Sequence, residues 1–218
     1  MKFFLLKNPI HYLSYIQFQE SIRKKRSECV LFLEHPKTIT SGTNAEEKNL
    51  LFSRELLESH DISLFSINRG GDFTAHEPGQ LVIYPHIDLK LRNLKLTDFT
   101  KLLKLVTSKS ILEVWDLKLI DKPQSPGLYL EENPNKKLVS TGIYFKSFFT
   151  SFGLAINCSN SLETFQFINP CGGNSKDIVS IHSLGLDISL VPKFIKLFQT
   201  EFLKELHDFD SDLKLIPS

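Results

Sequence analysis

Three strand-like segments follow one another between residues 127 and 157, separated only by short connections. They cover residues 127–131, 137–146 and 149–157, and the middle segment begins KLVSTGIYF, with the period-two character of a half-buried strand. Adjacent strands joined in this way form a meander, whose neighbours are antiparallel. The chain is therefore not a regular alternation of strands and crossover helices, and an α+β fold around a mixed or antiparallel sheet is predicted.

Further strands and four helices are predicted around this meander. Strand-like runs occupy the N-terminus and residues 29–36, 62–68 and 81–89. The predicted helix starts are Tyr12, with a helix to residue 26; Ser53, with a helix to Ser59; Thr97 or Asp98; and Ser189, with Pro192 in the first turn. No repeat or linker divides the chain, so residues 1–218 are predicted to form a single domain.

The amino-acid composition limits which classes of binding partner are expected. The chain has 26 Lys and Arg against 25 Asp and Glu, so no general attraction to nucleic acid or to an anionic membrane is expected. Its apolar runs are too short to span a membrane, and Lys7 and Asn8 interrupt the N-terminal one, which argues against a signal peptide. The basic run at residues 23–26 is either a solvated helix end or a docking patch for an acidic partner.

Cysteine usage points to a reduced, cytoplasmic setting. The three cysteines, Cys29, Cys158 and Cys171, are isolated, and without a C-x-x-C pair neither a structural zinc site nor a dithiol redox motif is supported. No metal site is therefore predicted. Cys29 and Cys158 lie within or at the end of apolar strands, where a cysteine is usually a small buried hydrophobe.

The segment RGGDFTAHEPGQ, residues 69–80, is predicted to be a ligand-binding loop. Gly70, Gly71 and Gly79 allow backbone amides to approach a ligand, and Arg69 supplies a charge-assisted donor. The alternative is a tight turn between two strands, which would need fewer Gly and Pro residues. The loop matches neither a Walker phosphate loop nor a dinucleotide-binding GxGxxG motif, so no nucleotide or other cofactor is predicted.

Cys171 is the candidate nucleophile. In INPCGG, a proline precedes it and two glycines follow, whose amides could hold a developing oxyanion. Because the thiolate is the reactive form, a nearby cation is needed to lower the thiol's pKa. His76, Lys136 and Lys137 are the candidates, and spacing alone does not choose among them.

Taken together, these segments resemble a known family. RGGDFTAHEPGQLVIYPHIDL, KKLVSTGI, FTSFGLAINC and INPCGG occur in the order and at the separations typical of octanoyl-acyl-carrier-protein:protein N-octanoyltransferases, and LFLEHPKTITSGTNAEEKNLL is similar to that family's N-terminal strand and loop. The resemblance covers roughly residues 10–205. It implies the catalytic-domain fold of the biotin and lipoate protein ligases, with no appended domain.

The resemblance also implies a mechanism and partners. Cys171 would take the octanoyl group from acyl carrier protein as a thioester, and Lys137 would lower the thiol's pKa and act as general base. The acceptor would be the lysine of a lipoyl domain on a 2-oxoacid dehydrogenase or on the glycine-cleavage carrier protein. The implied substrate-binding residues are Arg69, Gly70, Gly71, Asp72, Phe73, Thr74, Ala75 and His76 in the acyl-pocket loop, and Ser140, Thr141, Gly142, Gly153, Leu154 and Ala155 on two strands.

Three positions depart from the family's pattern. Ala75 stands where an aromatic is usual, Glu77 where a glycine is usual, and Phe152 where a histidine is usual. They would loosen the loop packing, add a charge and remove a titratable group, respectively. Two alternatives follow: a hydrolase that uses Cys171 with His76, and a non-catalytic module that binds acyl carrier protein or lipoyl domains.

Overall fold

The strands form two sheets, one of seven strands and one of three, in a computed structural model that describes residues 1–122, 125–170 and 173–212, with side chains up to residue 207. The strands are β1 (Lys2–Leu5), β2 (Cys29–Leu33), β3 (Thr38–Ser41), β4 (Ser63–Ser66), β5 (Phe73–His76), β6 (Gln80–His86), β7 (Leu119–Lys122), β8 (Ser125–Leu130), β9 (Lys137–Lys146) and β10 (Phe149–Asn157). The helices are α1 (Tyr12–Lys25), α2 (Arg54–Ser59), α3 (Leu96–Trp115) and α4 (Val191–Asp212).

The large sheet runs in the order β1-β2-β6-β10-β9-β8-β7. Only β1 and β2 pair in parallel; the other neighbours are antiparallel, and β8, β9 and β10 form the predicted meander. The small sheet has the order β4-β3-β5, with β3 parallel to β4 and antiparallel to β5. The predicted α+β fold around a mixed sheet is thus observed.

Both faces of the large sheet are covered. One face packs against α3 and α4, whose residues Phe99, Val106, Phe198 and Phe202 are fully buried. The opposite face packs against α1 through a cluster that includes Tyr15. Burial on both faces explains why the sequence of β2, CVLFL, is continuously apolar, with every residue buried.

Most predicted helices and strands are present, but two helices begin at residues other than those predicted. Ser53 caps α2 as predicted, its side chain accepting a hydrogen bond from the backbone N–H of Leu56. Thr97 and Asp98 do not cap α3, because the helix begins at Leu96. Asp98 lies in its first turn, where its negative charge interacts favourably with the helix dipole. Ser189 does not cap α4 either; it lies in a 3₁₀ turn, Ile188–Leu190, that precedes the helix.

The prediction that residues 69–80 are entirely loop is wrong for residues 73–76. Phe73–His76 forms β5, which pairs with β3. Phe73 and Ala75 pack into the small sheet's own core, and this gain in buried apolar surface favours an extended strand over a loop. Two further strands were not predicted, the polar β3, TITS, and the short β7.

The basic run at the end of α1 is partly neutralised. Arg23 forms an ion pair with Glu20, and Arg26 forms one with the buried carboxylate of Asp88. Only Lys24 and Lys25 remain as exposed basic side chains of this run with no ion pair among the described residues. Two of the four basic side chains of this run are thus paired within the fold, and the other two are exposed to solvent.

Candidate active site

A cavity of about 520 Å³, counting space open to solvent, is lined from both sheets. One wall comes from β9 and β10 of the large sheet, and another from β5 and the loop that precedes it. The predicted site residues that line it are Lys137, Arg69, Gly71, Phe73, Thr74, His76, Ser140, Thr141, Gly142, Gly153, Leu154 and Ala155. The topology thus brings together segments that lie more than sixty residues apart in sequence.

Other predicted site residues lie elsewhere. Gly70, Asp72 and Ala75 are not among the described residues that line the cavity. Asp72 instead accepts hydrogen bonds from the side chain of Asn49 and the backbone N–H of Glu46, which fixes the loop beneath the site. Cys171 and Gly172 lie outside the described residues.

Lys137 faces the cavity from the first position of β9. Its side chain is buried, with 6% of the residue exposed, and its Nζ lies 5.7 Å from the centroid of the Tyr129 ring. Lys136, one residue earlier, points outwards: its Nζ donates a hydrogen bond to the carbonyl of Lys176 and lies 3.5 Å from the carboxylate of Asp177. Alternation along a strand puts these two lysines on opposite sides. Pro170, which immediately precedes Cys171, also lines the cavity.

Arg69 is a buried cation at the cavity wall. Its Nη2 donates to both the carbonyl and the hydroxyl oxygen of Thr40, each at 2.8 Å. A Cβ at position 142 would lie 3.0 Å from Arg69 Cδ, so Gly142 gives this side chain room to pass. The guanidinium is therefore held in place by the small sheet and by a close approach of β9.

His76 is neutral and has a defined tautomer. Burial, with a smaller contribution from nearby His35, lowers the pKa of His76 to about 3. The Gln80 amide donates through Nε2 to the carbonyl of Ala75 and to Asn157 Oδ1, so its oxygen faces His76 Nδ1 at 2.7 Å. The Nδ1 atom therefore carries the proton, and Nε2 carries the lone pair.

Two positions that depart from the family pattern have clear structural partners. Glu77 is buried, and its carboxylate accepts hydrogen bonds from the backbone N–H groups of Leu162 and Thr164 and from the side chain of Asn160. Ala75 packs in the core of the small sheet. Neither lines the cavity, so they shape the site through the segments that they hold.

Cys29 and Cys158 are buried, as predicted. Burial raises the pKa of Cys29 to about 11 and that of Cys158 to about 12. Since the thiolate is the nucleophile, neither thiol is reactive near neutral pH.

Several cavity residues were not predicted as site residues: Tyr12, Tyr84, Pro126, Phe152 and Pro170. Tyr12 belongs to the predicted first helix and Tyr84 to the predicted strand at residues 81–89, and nothing in the sequence marks either as a site residue. Phe152 drew notice only as a departure from the family's pattern. Without the tertiary fold, an aromatic ring at a cavity has the same sequence signal as one in a core.

Two side chains of the cavity wall, Tyr12 and Thr141, have a buried hydroxyl that makes no hydrogen bond within the part of the chain that the structure describes. The Thr141 hydroxyl lies on β9 between Ser140 and Gly142, which also line the cavity. A ligand oxygen or amide placed there could satisfy it.

No three His, Cys, Asp or Glu side chains in ranges 1–122, 125–170 and 173–212 are arranged to hold a metal ion. Within the same ranges, no helix is both long and apolar enough to cross a bilayer.

Solved structures of other proteins share this fold. The chain superimposes with a TM-score of 0.70 on a bi-partite lipoate protein ligase, reported with its E2 lipoyl domain, from Thermoplasma acidophilum, at 14% identity over 95% of this chain and 84% of that one. It superimposes with a TM-score of 0.58 on biotin protein ligase from Aquifex aeolicus in complex with biotin and ATP, at 13% identity over 96% of this chain and 72% of that one. The fold is thus that of the lipoate and biotin protein ligase catalytic domains.

Sequence comparison gives the family itself. The chain belongs to the lipoyl protein ligase A/B catalytic domain family, whose model matches residues 12–203. A relative named octanoyltransferase, from Leptospira interrogans, is 52% identical over 190 residues, which are 87% of this chain and 88% of the relative. Another relative of that name, from Caldicellulosiruptor bescii, is 34% identical over 79% of this chain and 80% of its own length.

Proposed function

We propose that this protein transfers an octanoyl group from octanoyl-acyl carrier protein to the lysine of a lipoyl domain, through a thioester on Cys171. The observation that carries the proposal is the cavity in which buried Lys137 meets a wall of apolar and aromatic side chains. Such a cavity suits an acyl chain whose reactive end must meet a cation. Relatives named octanoyltransferase, at up to 52% identity, support the identity of the acyl group.

The first step moves the acyl group onto the enzyme. The Lys137 ammonium favours the thiolate of Cys171, which attacks the carbonyl carbon of the donor thioester. A new carbon–sulfur bond forms at Cys171, and the bond to the carrier's sulfur breaks. The departing thiolate takes a proton from Lys137, which leaves the lysine neutral. One thioester replaces another, so no ATP is required.

The second step moves the acyl group onto the acceptor. The acceptor lysine attacks as a neutral amine, its proton passes to Lys137, and the thiolate of Cys171 leaves. An amide bond forms while the thioester breaks, which is favourable in free energy. The enzyme returns to its starting charge state, with Cys171 as thiolate and Lys137 as ammonium.

Acyl binding in this account is chiefly apolar. Each methylene moved from water into the cavity contributes about 0.8 kcal/mol. Phe73, Leu154 and Ala155 supply apolar wall to the cavity. The lipoyl domains of 2-oxoacid dehydrogenases and of the glycine-cleavage carrier protein are the proposed acceptors.

The hydrolase alternative is disfavoured by His76. A general base works best when its pKa lies near the working pH, whereas burial lowers the pKa of His76 to about 3. His76 is better suited to shape the cavity as a neutral ring.

The acyl-enzyme can be tested by intact mass spectrometry. Incubation with octanoyl-acyl carrier protein is expected to add one octanoyl group to the wild-type chain, and neutral hydroxylamine, which cleaves thioesters, should remove it. Cys171→Ser should form no hydroxylamine-sensitive adduct. Cys158→Ser is the matched control, because Cys158 is a buried thiol with a raised pKa, and it should acylate like the wild type. A wild-type chain that stays unmodified with active donor would overturn the proposal.

A further inference from the structure

A second cavity adjoins the first behind Phe152. It encloses about 680 Å³, counting space open to solvent, and lies against α1, the end of β4 and the end of β9. Among the described residues, only Tyr12 and Phe152 line both cavities. These two side chains therefore stand between them.

Phe152 reaches this position through an unusual backbone conformation. Its φ is +59°, in the left-handed region that a bulky residue seldom adopts. Regular alternation along β10 would place Phe152 with Leu154 and Ile156, which pack on the α3–α4 side of the sheet. Phe152 instead packs with Phe149 and Ala155 on the side that faces α1. The strained residue thus turns its ring into the wall between the cavities.

Several contacts hold the ring there. The backbone N–H of Phe152 donates a hydrogen bond to the Tyr15 hydroxyl, at 3.2 Å, and the residue is only 3% exposed. The ring lies 10° from parallel to that of Tyr12, with centroids 6.3 Å apart, and edge-on to that of Tyr84 at 5.8 Å. The partition is therefore a packed aromatic group.

The partition lies at the far end of the cavity from Lys137. Phe152 pairs with Ile143 across the two strands, and Ile143 is six residues along β9 from Lys137. Lys137 and Phe152 therefore lie at opposite ends of the stretch of β9 and β10 that lines the cavity. Lys137 and Pro170 thus line the reactive end, and Phe152 and Tyr12 close the other.

We propose that Phe152, backed by Tyr12, sets the longest acyl chain that this enzyme accepts. This inference rests on the function proposed above and adds a specificity-determining residue to it. The space beyond the ring is lined in part by Leu13, Ile16 and Phe65, so it can take further methylenes once the ring is removed. Acyl chains that end before the ring bind, and longer chains collide with it.

The test is competition between donors of different length. Wild-type protein is incubated with an equimolar mixture of octanoyl-, dodecanoyl- and tetradecanoyl-acyl carrier protein, and the acyl-enzymes are quantified by intact mass. The wild type is expected to carry almost only octanoyl. Phe152→Ala is expected to raise the dodecanoyl-to-octanoyl ratio at least tenfold, and Phe152→Leu, which keeps more of the packing, is expected to raise it less.

Phe149→Ala is the matched control. Phe149 is a fully buried ring on the same strand and in the same cluster, and it lines neither cavity, so its loss should leave the ratio unchanged. A folded Phe152→Ala chain with the wild-type ratio, or a ratio raised equally by Phe149→Ala, would overturn the inference. So would a wild-type chain that takes dodecanoyl as readily as octanoyl, whatever the variants do.

The same experiment separates this inference from the proposed function. If the octanoyl donor acylates the wild type but Phe152→Ala does not change the selectivity between donors, only the role of Phe152 is refuted. A wild type that is acylated by none of the donors refutes both.

Discussion

Gly127 on β8 lies directly against the side chain of Lys137 on β9: a Cβ built at position 127 would stand 2.5 Å from Lys137 Cε and 3.2 Å from its Nζ. Gly127 also has a φ of +142°, where other residues are strained. The lysine therefore occupies space that only a glycine at position 127 leaves open.

Gly127→Ala is accordingly expected to displace Lys137 and to lower the octanoyl transfer rate at least tenfold. It should also lose stability, because the added Cβ would overlap the carbonyl oxygen of Val139 and the backbone is strained. Gly185→Ala is the control for backbone strain alone. Gly185 also has a positive φ, +73°, but a Cβ there meets no described atom within 4 Å. It should keep its transfer rate. Equal rates in the two variants, measured with the same donor and acceptor, would refute the positioning role of Gly127.

Lys137 and Lys136 are adjacent and face opposite ways, which gives a sharp test of the proposed general base. Lys137→Ala is expected to slow both acyl-enzyme formation and amide transfer by about 10²–10⁴-fold, the range typical of a lost acid–base group. Lys136→Ala removes an outward-facing side chain and should be within about twofold of wild type. Single-turnover kinetics with labelled donor measures the two steps separately. A fast Lys137→Ala variant would remove this lysine from the mechanism.

Glu77 holds the segment 160–164 through three hydrogen bonds to a buried carboxylate. Glu77→Ala would leave the N–H groups of Leu162 and Thr164 without their acceptor, and a loss of about 2–4 kcal/mol in the free energy of unfolding is expected. Glu163→Ala serves as control, because Glu163 is exposed in the same segment. Urea denaturation of both variants checks this. A Glu77→Ala chain as stable as the control would show that the carboxylate does not anchor the segment.

The buried histidines predict acid sensitivity. Burial lowers the pKa of His76 to about 3 and those of His35 and His86 to about 4, whereas an unfolded chain binds these protons near pH 6.5. The unfolded state therefore binds more protons than the folded state below pH 6.5. Stability is fully present above that pH and falls as the pH drops towards 4, by up to about 1.4 kcal/mol per pH unit for each histidine.

Denaturation curves at a series of pH values measure this slope. His76→Gln should make it shallower, because one proton-linked group is lost. His182→Gln, at an exposed position, should leave the slope as it is in the wild type. Parallel slopes for the wild type and His76→Gln between pH 6.5 and 4 would contradict the account of His76 as a buried neutral ring.

The sequence predicts the helices and strands better than it predicts the geometry of the site. The meander and Ser53's cap follow from local patterns, since hydrophobic alternation and capping act over a few residues. Local patterns do not choose among His76, Lys136 and Lys137 as the cation beside Cys171, because that choice depends on which face of β9 meets the small sheet. The order of the family's motifs indicates Lys137, and the strand's register shows the physical reason: it turns this lysine into the cavity.

Other parts of the site could not be predicted for related reasons. The left-handed conformation of Phe152 carries no signal of its own in sequence, because such conformations are usual only for Gly and Asn. The roles of Glu77 and Asp72 depend on backbone groups from distant segments that only the tertiary fold brings near. Cys171 lies outside the described residues, so its place beside Lys137 stays a prediction.

The most direct test of the central claim is the mass of a lipoyl domain after incubation with octanoyl-acyl carrier protein and this enzyme. We expect the domain to gain one octanoyl group on its acceptor lysine with the wild type and none with Cys171→Ser, and a domain with the acceptor lysine changed to arginine to stay unmodified. Release of free octanoate with an unmodified domain, or equal transfer by Cys171→Ser, would contradict octanoyl transfer through Cys171.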